Sequence, residues 1–354
     1  MSKTFRVIDT GIEHGRRNIS FDQALIDARA ADEIPDTIRF LRFRPTALVG
    51  RHQALEREVD TAFCAANGIG LARRITGGGS IFFDEGQLGW ELVFHRKTLP
   101  AGDLGQLAEM ICTAAAAGLQ TLGVDARFRP RNDIEVDGRK ISGTGGFFDG
   151  DVLFYQGTLL IDTNPEVMAK ALKVPQAKLA KRELDSAAQR VITLRALLGD
   201  ATPSVNAAKQ ALLQGFAEGF GLTLEDGEVS DGERARAQQI HDTEIGTDDF
   251  VAEIDDPESD GGFLSASGTT PGGSVTVYLR LHRGQARIQQ ILITGDFFAN
   301  PPRLVFDLEA ALKDAPLENV DGIIARVLDA GGAITVPREA LSGVIREAAG
   351  GDTT

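Results

Sequence analysis

Apolar residues recur along the chain with two periods, and the switches between them mark out elements. Residues 18–31, "NISFDQALIDARAA", carry a helical pattern. Ser20 stands where it would cap the start, with Gln23 three residues on as capping-box partner. "DTIRFLRF" (36–43) and "ALVG" (47–50) predict short strands, and "DTAFCAANGI" (60–69) a helix ending at Asn67-Gly68. "LARR", three glycines and "IFFD" then predict two strands joined by a tight Gly-rich connection, with "LGWELVFH" (88–95) as the next strand. From 104 to 123, Leu107, Met110, Ile111, Ala114, Ala115 and Leu119 share one helical face. "IEV", "RKISGTGGFF" and "LFYQGTLLI" follow as strands separated by Asp-Gly pairs that favour hairpin turns. Helices resume at "PEVMAKAL" and after Thr202-Pro203, a cap followed by proline, with Val205, Ala208, Leu212, Phe216 and Phe220 as the second one's buried face. Beyond 262, "SVTVYLRL" and "ARIQQILI" form an antiparallel pair around "HRGQ", then helices near 303–313, 319–330 and 337–348. No internal repeat is present.

Composition adds bounds. The 354 residues suit two domains and a core that folds without staples. The net charge is −14, which disfavours a nucleic-acid partner. Residues 224–260 hold fourteen acidic side chains against two arginines, twelve of those fourteen net charges, and are expected to be a solvated connector. This divides the chain into residues 1–225, an acidic connector 226–261 and a small α+β unit 262–354. Cys64 and Cys112 both fall in helical text, so no disulfide framework is indicated. With no signal-peptide core and no membrane-length apolar run, a cytoplasmic monomer is expected.

Three stretches hold candidate chemistry. "RRITGGGS" (73–80) sets bare backbone beside two arginines. No Gly-Lys-Ser/Thr follows and no helix opens after it, so it is neither a Walker loop nor a dinucleotide fingerprint. It is either a flexible hairpin turn or a nest of amides open to an anionic ligand. "RPRNDIEVDGRKISGTGG" (129–146) brings Asn132 and Asp133 before a strand and Lys140 after a turn at Asp137-Gly138. Arg139 and Lys140 would lie on opposite faces, so one of them can enter a pocket; a polar hairpin with an exposed lysine reads equally well. In "LFYQGTLL" (153–160), Tyr155 and Gln156 are polar handles within apolar text.

Taken in order, these stretches resemble the lipoate–protein ligase family. That family shows Arg-Arg-x-Ser/Thr-Gly-Gly-Gly before a strand and Asp, here Arg73 to Asp84. It shows Asn-Asp before a hairpin, here Asn132-Asp133, then "RKISGTG", and a His-His-Gly-Thr-Leu-Leu strand, here "YQGTLL". "NISFDQAL", "LVGRHQALEREVD" and "QRVITLRALL" also look like family segments, so the resemblance covers about residues 5–220. The tail from 262, with "LITGDFF", is similar to the family's accessory C-terminal domain. The resemblance implies an α+β fold: a biotinyl/lipoyl-transferase-like catalytic domain with a class II synthetase-like mixed sheet and flanking helices, plus the small C-terminal domain.

It also implies a two-step reaction. Lipoate attacks the α-phosphate of ATP to give lipoyl-AMP, and a lysine of an acceptor protein then takes the lipoyl group. Lys140 is the implied catalytic cation between carboxylate and phosphate. Arg74, Thr76, Gly77, Gly78, Gly79, Ser80, Phe83, Asn132, Asp133, Ser142, Gly143, Gln156, Gly157 and Thr158 are the implied lipoyl-adenylate contacts. Mg²⁺ would ride on the phosphates with Asp133 as its candidate carboxylate. The implied partner is a lipoyl domain of a 2-oxoacid dehydrogenase, a glycine-cleavage H-protein or an H-like lipoate-binding protein. The family often has histidine where Phe83 and Gln156 stand, so no titrating group is assigned there. The alternatives are an ATP-independent lipoyl/octanoyl acyltransferase of the same fold, which needs an accessible cysteine thiolate, and a non-catalytic lipoate-binding or accessory protein. The Gly-Arg-Gly-Arg-x-Gly-Arg pattern of biotin ligases is absent.

Overall fold

The computed structural model describes residues 3–99, 103–130, 132–173, 190–254, 256–257 and 261–350. The chain forms two compact units that do not follow its linear division. One comprises Met1–Leu48, Asp60–Ala72 and Ile81–Phe250; the other Val49–Val59, Arg73–Ser80 and Val251–Thr354.

The first unit is built on an eight-stranded sheet. Its strands are β1 (Lys3–Glu13), β2 (Thr37–Phe43), β6 (Gln87–His95), β7 (Arg127–Arg129), β8 (Asp133–Val136), β9 (Arg139–Asp149), β10 (Val152–Leu160) and β11 (Leu222–Asp226), in the order β11-β1-β2-β6-β10-β9-β8-β7. β1 runs parallel to β2 and β11, and the other pairings are antiparallel, so the sheet is mixed. A smaller sheet joins β3 (Thr46–Val49) to β4 (Gly70–Arg73) and β5 (Ile81–Phe83), with β3 in the centre. The expected tight connection between "LARR" and "IFFD" is therefore not a hairpin: β4 and β5 lie on opposite sides of β3, which saturates both.

The period-2 alternation assigns the faces of the large sheet. Leu88, Trp90, Leu92 and Phe94 of β6 and Leu153, Tyr155 and Leu159 of β10 pack into one core with the helices Leu104–Gln120 and Val205–Phe220. These two helices touch backbone to backbone, because a Cβ on Gly118 would collide with the Ala211 carbonyl and one on Gly215 with the Ala114 carbonyl. The second helix starts later than Thr202-Pro203 suggests: Ser204 is its cap, accepting from the Ala207 amide at 3.2 Å.

The other face meets the helix Gly15–Ala30, whose sequence signal came from 18–31. Ser20 does not cap it. Its hydroxyl donates to the Arg16 carbonyl inside the helix at 2.7 Å, and His14 precedes the first turn without a side-chain cap. Under this helix Arg39 is almost fully buried, donating to Asp22 at 2.6 Å, Glu91 at 3.0 Å and Asn18 at 2.8 Å. Burial holds both carboxyls above their ordinary range; at Asp22 the neighbouring Glu91 charge adds to that push.

The acidic stretch is not a bare connector where it is described. Asp231–Thr243 is a helix with a full capping box between Ser230 and Glu233. Buried Glu233 pairs with Arg6 of β1 at 2.6 Å. Residues up to Phe250 thus belong to the first unit, past the expected boundary at 225.

In the second unit, β12 (Leu264–Thr270), β13 (Gly273–Leu281) and β14 (Ile288–Gly295) form an antiparallel sheet, one strand more than the expected pair. The three helices fall at Leu304–Leu312, Val320–Asp329 and Arg338–Ala348, and their apolar residues share a core with β13 and β14. Glu58 and Glu309 of this unit are partly buried. Glu58 accepts from Ser80, with Asp296 close by, and burial pushes its pKa up to about 7. Glu309 accepts the Ile293 amide at 2.7 Å and is likewise pushed up to about 7, chiefly by burial. Among the described residues no helix is long and apolar enough to cross a membrane.

Two stability predictions follow from these buried charges. Arg39→Met leaves Asp22 and Glu91 without their cation and should cost about 3–5 kcal/mol in urea unfolding; an unchanged midpoint would show the pair is dispensable. Glu58 and Glu309 hold protons in the folded state up to about pH 7 that the unfolded chain releases near its ordinary 4.5. Their stabilisation is complete below that lower value and is lost as pH rises through 7. The thermal midpoint should accordingly fall across this window, and the Glu58→Gln/Glu309→Gln double variant should flatten the slope.

Candidate active site

Lys140 owes its position to a hairpin and a bulge. Asp137 and Gly138 both take positive φ, 51° and 72°, which makes the tight turn between β8 and β9. The ladder then slips by one residue: Glu135 faces Lys140 whereas Ile134 faces Ser142. On its other side the Lys140 backbone is bonded to a segment after 189, donating to the Arg190 carbonyl and accepting from the Ile192 amide, each at 2.8 Å. Arg139 is exposed and Lys140 half-buried, which decides between the two residues that the alternation left open.

The Lys140 side chain folds back over Gly143, where a Cβ would run into its Cε and Nζ. Its ammonium pairs with Asp133 at 2.7 Å, and Asp133 faces Gly143 across the ladder. Thr158 of β10 accepts from the Gly143 amide at 3.2 Å. Asn132 clamps the next residue, donating its side-chain amide to the Thr144 carbonyl at 2.5 Å and accepting the Thr144 amide at 2.8 Å. Gln156 lies one row further along the sheet, opposite Glu91 and Gly145. Thus Lys140, Asp133, Gly143, Thr158 and Asn132 are brought together, with Gln156 beside them. Arg131 lies outside the described residues.

Other expected contacts have packing neighbours of their own. A Cβ at Gly157 would overlap the Trp90 indole, so this glycine is needed by the core face. Ser142 is buried and its Oγ has no hydrogen-bond partner among the described residues. Phe83 is buried and stacked on Phe43, ring centroids 4.3 Å apart.

The glycine segment belongs to the second unit, and there its bare backbone meets protein. A Cβ on Gly77 would collide with the Phe297 carbonyl, and one on Gly78 would come within 2.9 Å of Phe298 Cζ. The Gly78 amide donates to the Phe297 carbonyl at 2.8 Å. In this arrangement "GDFF" of the tail covers the segment expected to lie open. Both arginines are buried. Arg73 donates to the carbonyls of Gln53 at 2.6 Å, Gly50 at 3.1 Å and Val251 at 2.9 Å. Arg74 donates to the carbonyls of Gly77 at 3.1 Å and Gly79 at 2.8 Å, and its Nε lies 3.3 Å from the Thr76 hydroxyl. Burial pushes each guanidinium down to about 10, so both stay cationic at neutral pH. Ser80 donates to Glu58 at 3.4 Å.

Both cysteines are fully buried. Burial pushes the Cys64 thiol up to about 11 and raises Cys112 as well. The sequence reading missed the surroundings of Cys112, whose Sγ lies 3.3 Å from Thr144 Oγ1 and 3.4 Å from the Tyr155 hydroxyl. The signal available was that residues 153, 155, 157 and 159 share one face, placing Tyr155 in the core beside that helix. It also missed Glu58, which no local pattern sets apart. Among the described residues no group of three or more His, Cys, Asp or Glu side chains is arranged to hold a metal ion.

The sequence and the fold are similar to those of known proteins. Residues 14–217 match the family described as lipoyl protein ligase A/B catalytic domain. The chain is 29% identical over 273 residues to octanoyltransferase LipM of Symbiobacterium thermophilum, covering 71% of this chain and 98% of that one. It is 29% identical over 262 residues to lipoate–protein ligase LplJ of Bacillus subtilis, covering 72% and 74%. The crystal structure of P. falciparum LipL1 in complex with lipoate matches 91% of this chain and 94% of its own at a TM-score of 0.71 and 15% identity, a likeness of fold. With more than half its length matched, the chain belongs to the lipoyl protein ligase A/B catalytic-domain family.

Proposed function

We propose that this protein is an ATP-dependent lipoate–protein ligase. The observation that carries the choice within the family is the state of its thiols. The sequence holds two cysteines, and both are buried with raised pKa values. A transferase working through a thioester needs an accessible thiolate. Lys140, by contrast, is a half-exposed amine on a rigid hairpin, with Gly143 clearing the space beneath it.

Adenylation brings the lipoate carboxylate against the α-phosphate, two anions that repel. An ammonium has three donors. One engages Asp133, leaving two for an acyl oxygen and a phosphoryl oxygen. The carboxylate oxygen bonds to phosphorus, pyrophosphate leaves, and the positive charge offsets what accumulates on the phosphoryl oxygens. In the second step the acceptor's lysine amine attacks the acyl carbon, AMP departs with the bonding pair, and one proton is released. Asp133 would hold Mg²⁺ only through its single carboxylate, which suits an ion carried mainly by phosphate oxygens and supplying charge neutralisation there. The acceptor is proposed to be a lipoyl domain or H-protein-like carrier.

The second reading, octanoyl transfer without ATP, is favoured by the LipM relatives. Two experiments separate them. With lipoate, ATP, Mg²⁺ and a purified lipoyl domain, the protein should release pyrophosphate and add one lipoyl mass to the acceptor, and Lys140→Ala should lower the rate about 10²-fold or more. Full activity without ATP, or in Lys140→Ala, would reject the ligase reading. Iodoacetamide applied to the native protein should leave the rate unchanged because neither thiol is exposed; rapid inactivation with one alkylated cysteine would favour the transferase.

A further inference from the structure

We infer that Tyr155 and Thr144 form a buried hydroxyl relay that positions the Lys140–Asp133 pair, acting through the Asn132 clamp. The inference rests on the ligase reading for its substrate, though not for its geometry.

Thr144 Oγ1 donates to the Asn132 carbonyl at 2.9 Å, the same oxygen that accepts the Thr144 amide at 2.8 Å. Its proton is therefore committed. The 2.6 Å contact between Thr144 Oγ1 and the Tyr155 hydroxyl must then have tyrosine as donor. Cys112 Sγ lies 3.4 Å from that hydroxyl and 3.3 Å from Thr144 Oγ1, so its S–H can point to either oxygen. The order is Tyr155 to Thr144 to the Asn132 carbonyl, both hydroxyl protons pointing one way. In such a buried run each bond polarises the next. Cys112 and Tyr155 are fully buried and Thr144 nearly so, so water does not replace a lost member cheaply.

The relay ends at the residues flanking the pair. Asn132 precedes Asp133 in the chain, and Thr144 follows Gly143, over which the ammonium lies. The hydroxyl bonds sit on the core face of the sheet, whereas Lys140 sits over Gly143 on the opposite side. Burial also raises the Tyr155 hydroxyl well above its ordinary value, which keeps it a donor at any working pH. Tyr155 occupies the first of the two positions that read His-His in the family pattern.

The test is Tyr155→Phe, which keeps the ring and removes one donor. Pyrophosphate release with lipoate and ATP should lose about tenfold in kcat, the equivalent of one hydrogen bond, with KM for both substrates essentially unchanged. Thr144→Ser should keep the wild-type rate and Thr144→Val should lose it as Tyr155→Phe does. In an Asp133→Asn background Tyr155→Phe should cost little more, because the effect passes through that pair. Independently of turnover, labelling of Lys140 by N-hydroxysuccinimidyl acetate, followed by peptide mass spectrometry, should speed up in Tyr155→Phe while labelling of Lys209 stays constant. Unchanged kcat and unchanged Lys140 labelling in Tyr155→Phe, or a loss that persists in full with Asp133→Asn, would overturn the relay. If the wild type releases no pyrophosphate, the ligase reading fails instead, and the labelling comparison still decides the relay.

Discussion

The Lys140 ammonium rests against a backbone that has no side chain. Everything around it serves that one close approach. Gly143 supplies the space, and Asp133, across the ladder, supplies the countercharge at 2.7 Å. The bulge between Lys140 and Ser142, opposite Ile134 and Glu135, lets Lys140 reach the face that Gly143 occupies. A lysine has roughly 2 kcal/mol of rotamer entropy to lose when it is fixed. Its backbone is bonded on both sides and its head group is paired, so much of that ordering is complete before a substrate arrives.

The sheet beneath makes this rigidity possible. One face is continuous core, with Trp90 laid over Gly157 and two helices locked together at Gly118 and Gly215. The other carries Arg39, Asp22 and Glu91 under the first helix. A buried triad of this kind adds little net stability relative to apolar packing, because desolvation offsets much of the attraction. Its geometry, however, admits one arrangement of helix on sheet, and Glu91 lies opposite Gln156, two positions along β10 from Thr158. Helix, triad and hairpin are thus linked through Gln156 and Thr158, alternate residues of β10.

Much of this was legible in the sequence. The strands 37–43, 87–95, 139–149 and 152–160, the helix 104–120 and the Asp-Gly turn all follow from period and turn chemistry. The alternation also put Arg139 and Lys140 on opposite faces, without deciding which of them points inward. What failed were features set by partners distant in sequence. Ser20 has the chemistry of a cap, but the helix begins five residues earlier, where burial of Asn18 and Asp22 against Arg39 rewards an extra turn. β4 and β5 look like a hairpin because nothing local reveals that β3 lies between them. The acidic stretch looks solvated, yet Glu233 is buried because Arg6, more than two hundred residues away, meets it.

The three consecutive glycines show the same limit most clearly. A missing Cβ records that something comes close; it does not record what. At Gly143 the neighbour is a lysine side chain, at Gly157 an indole, at Gly118 another helix, and at Gly77 the Phe297 carbonyl. Hydrogen bonding separates these cases where sequence cannot. The Gly78 amide is committed to the Phe297 carbonyl, and Arg74 directs donors to the carbonyls of Gly77 and Gly79. Gly77 and Gly78 of that motif pack against Phe297 and Phe298 of the same unit. In the proposed reaction the cation that would meet phosphate is Lys140, whose ammonium pairs with Asp133 and has three donors.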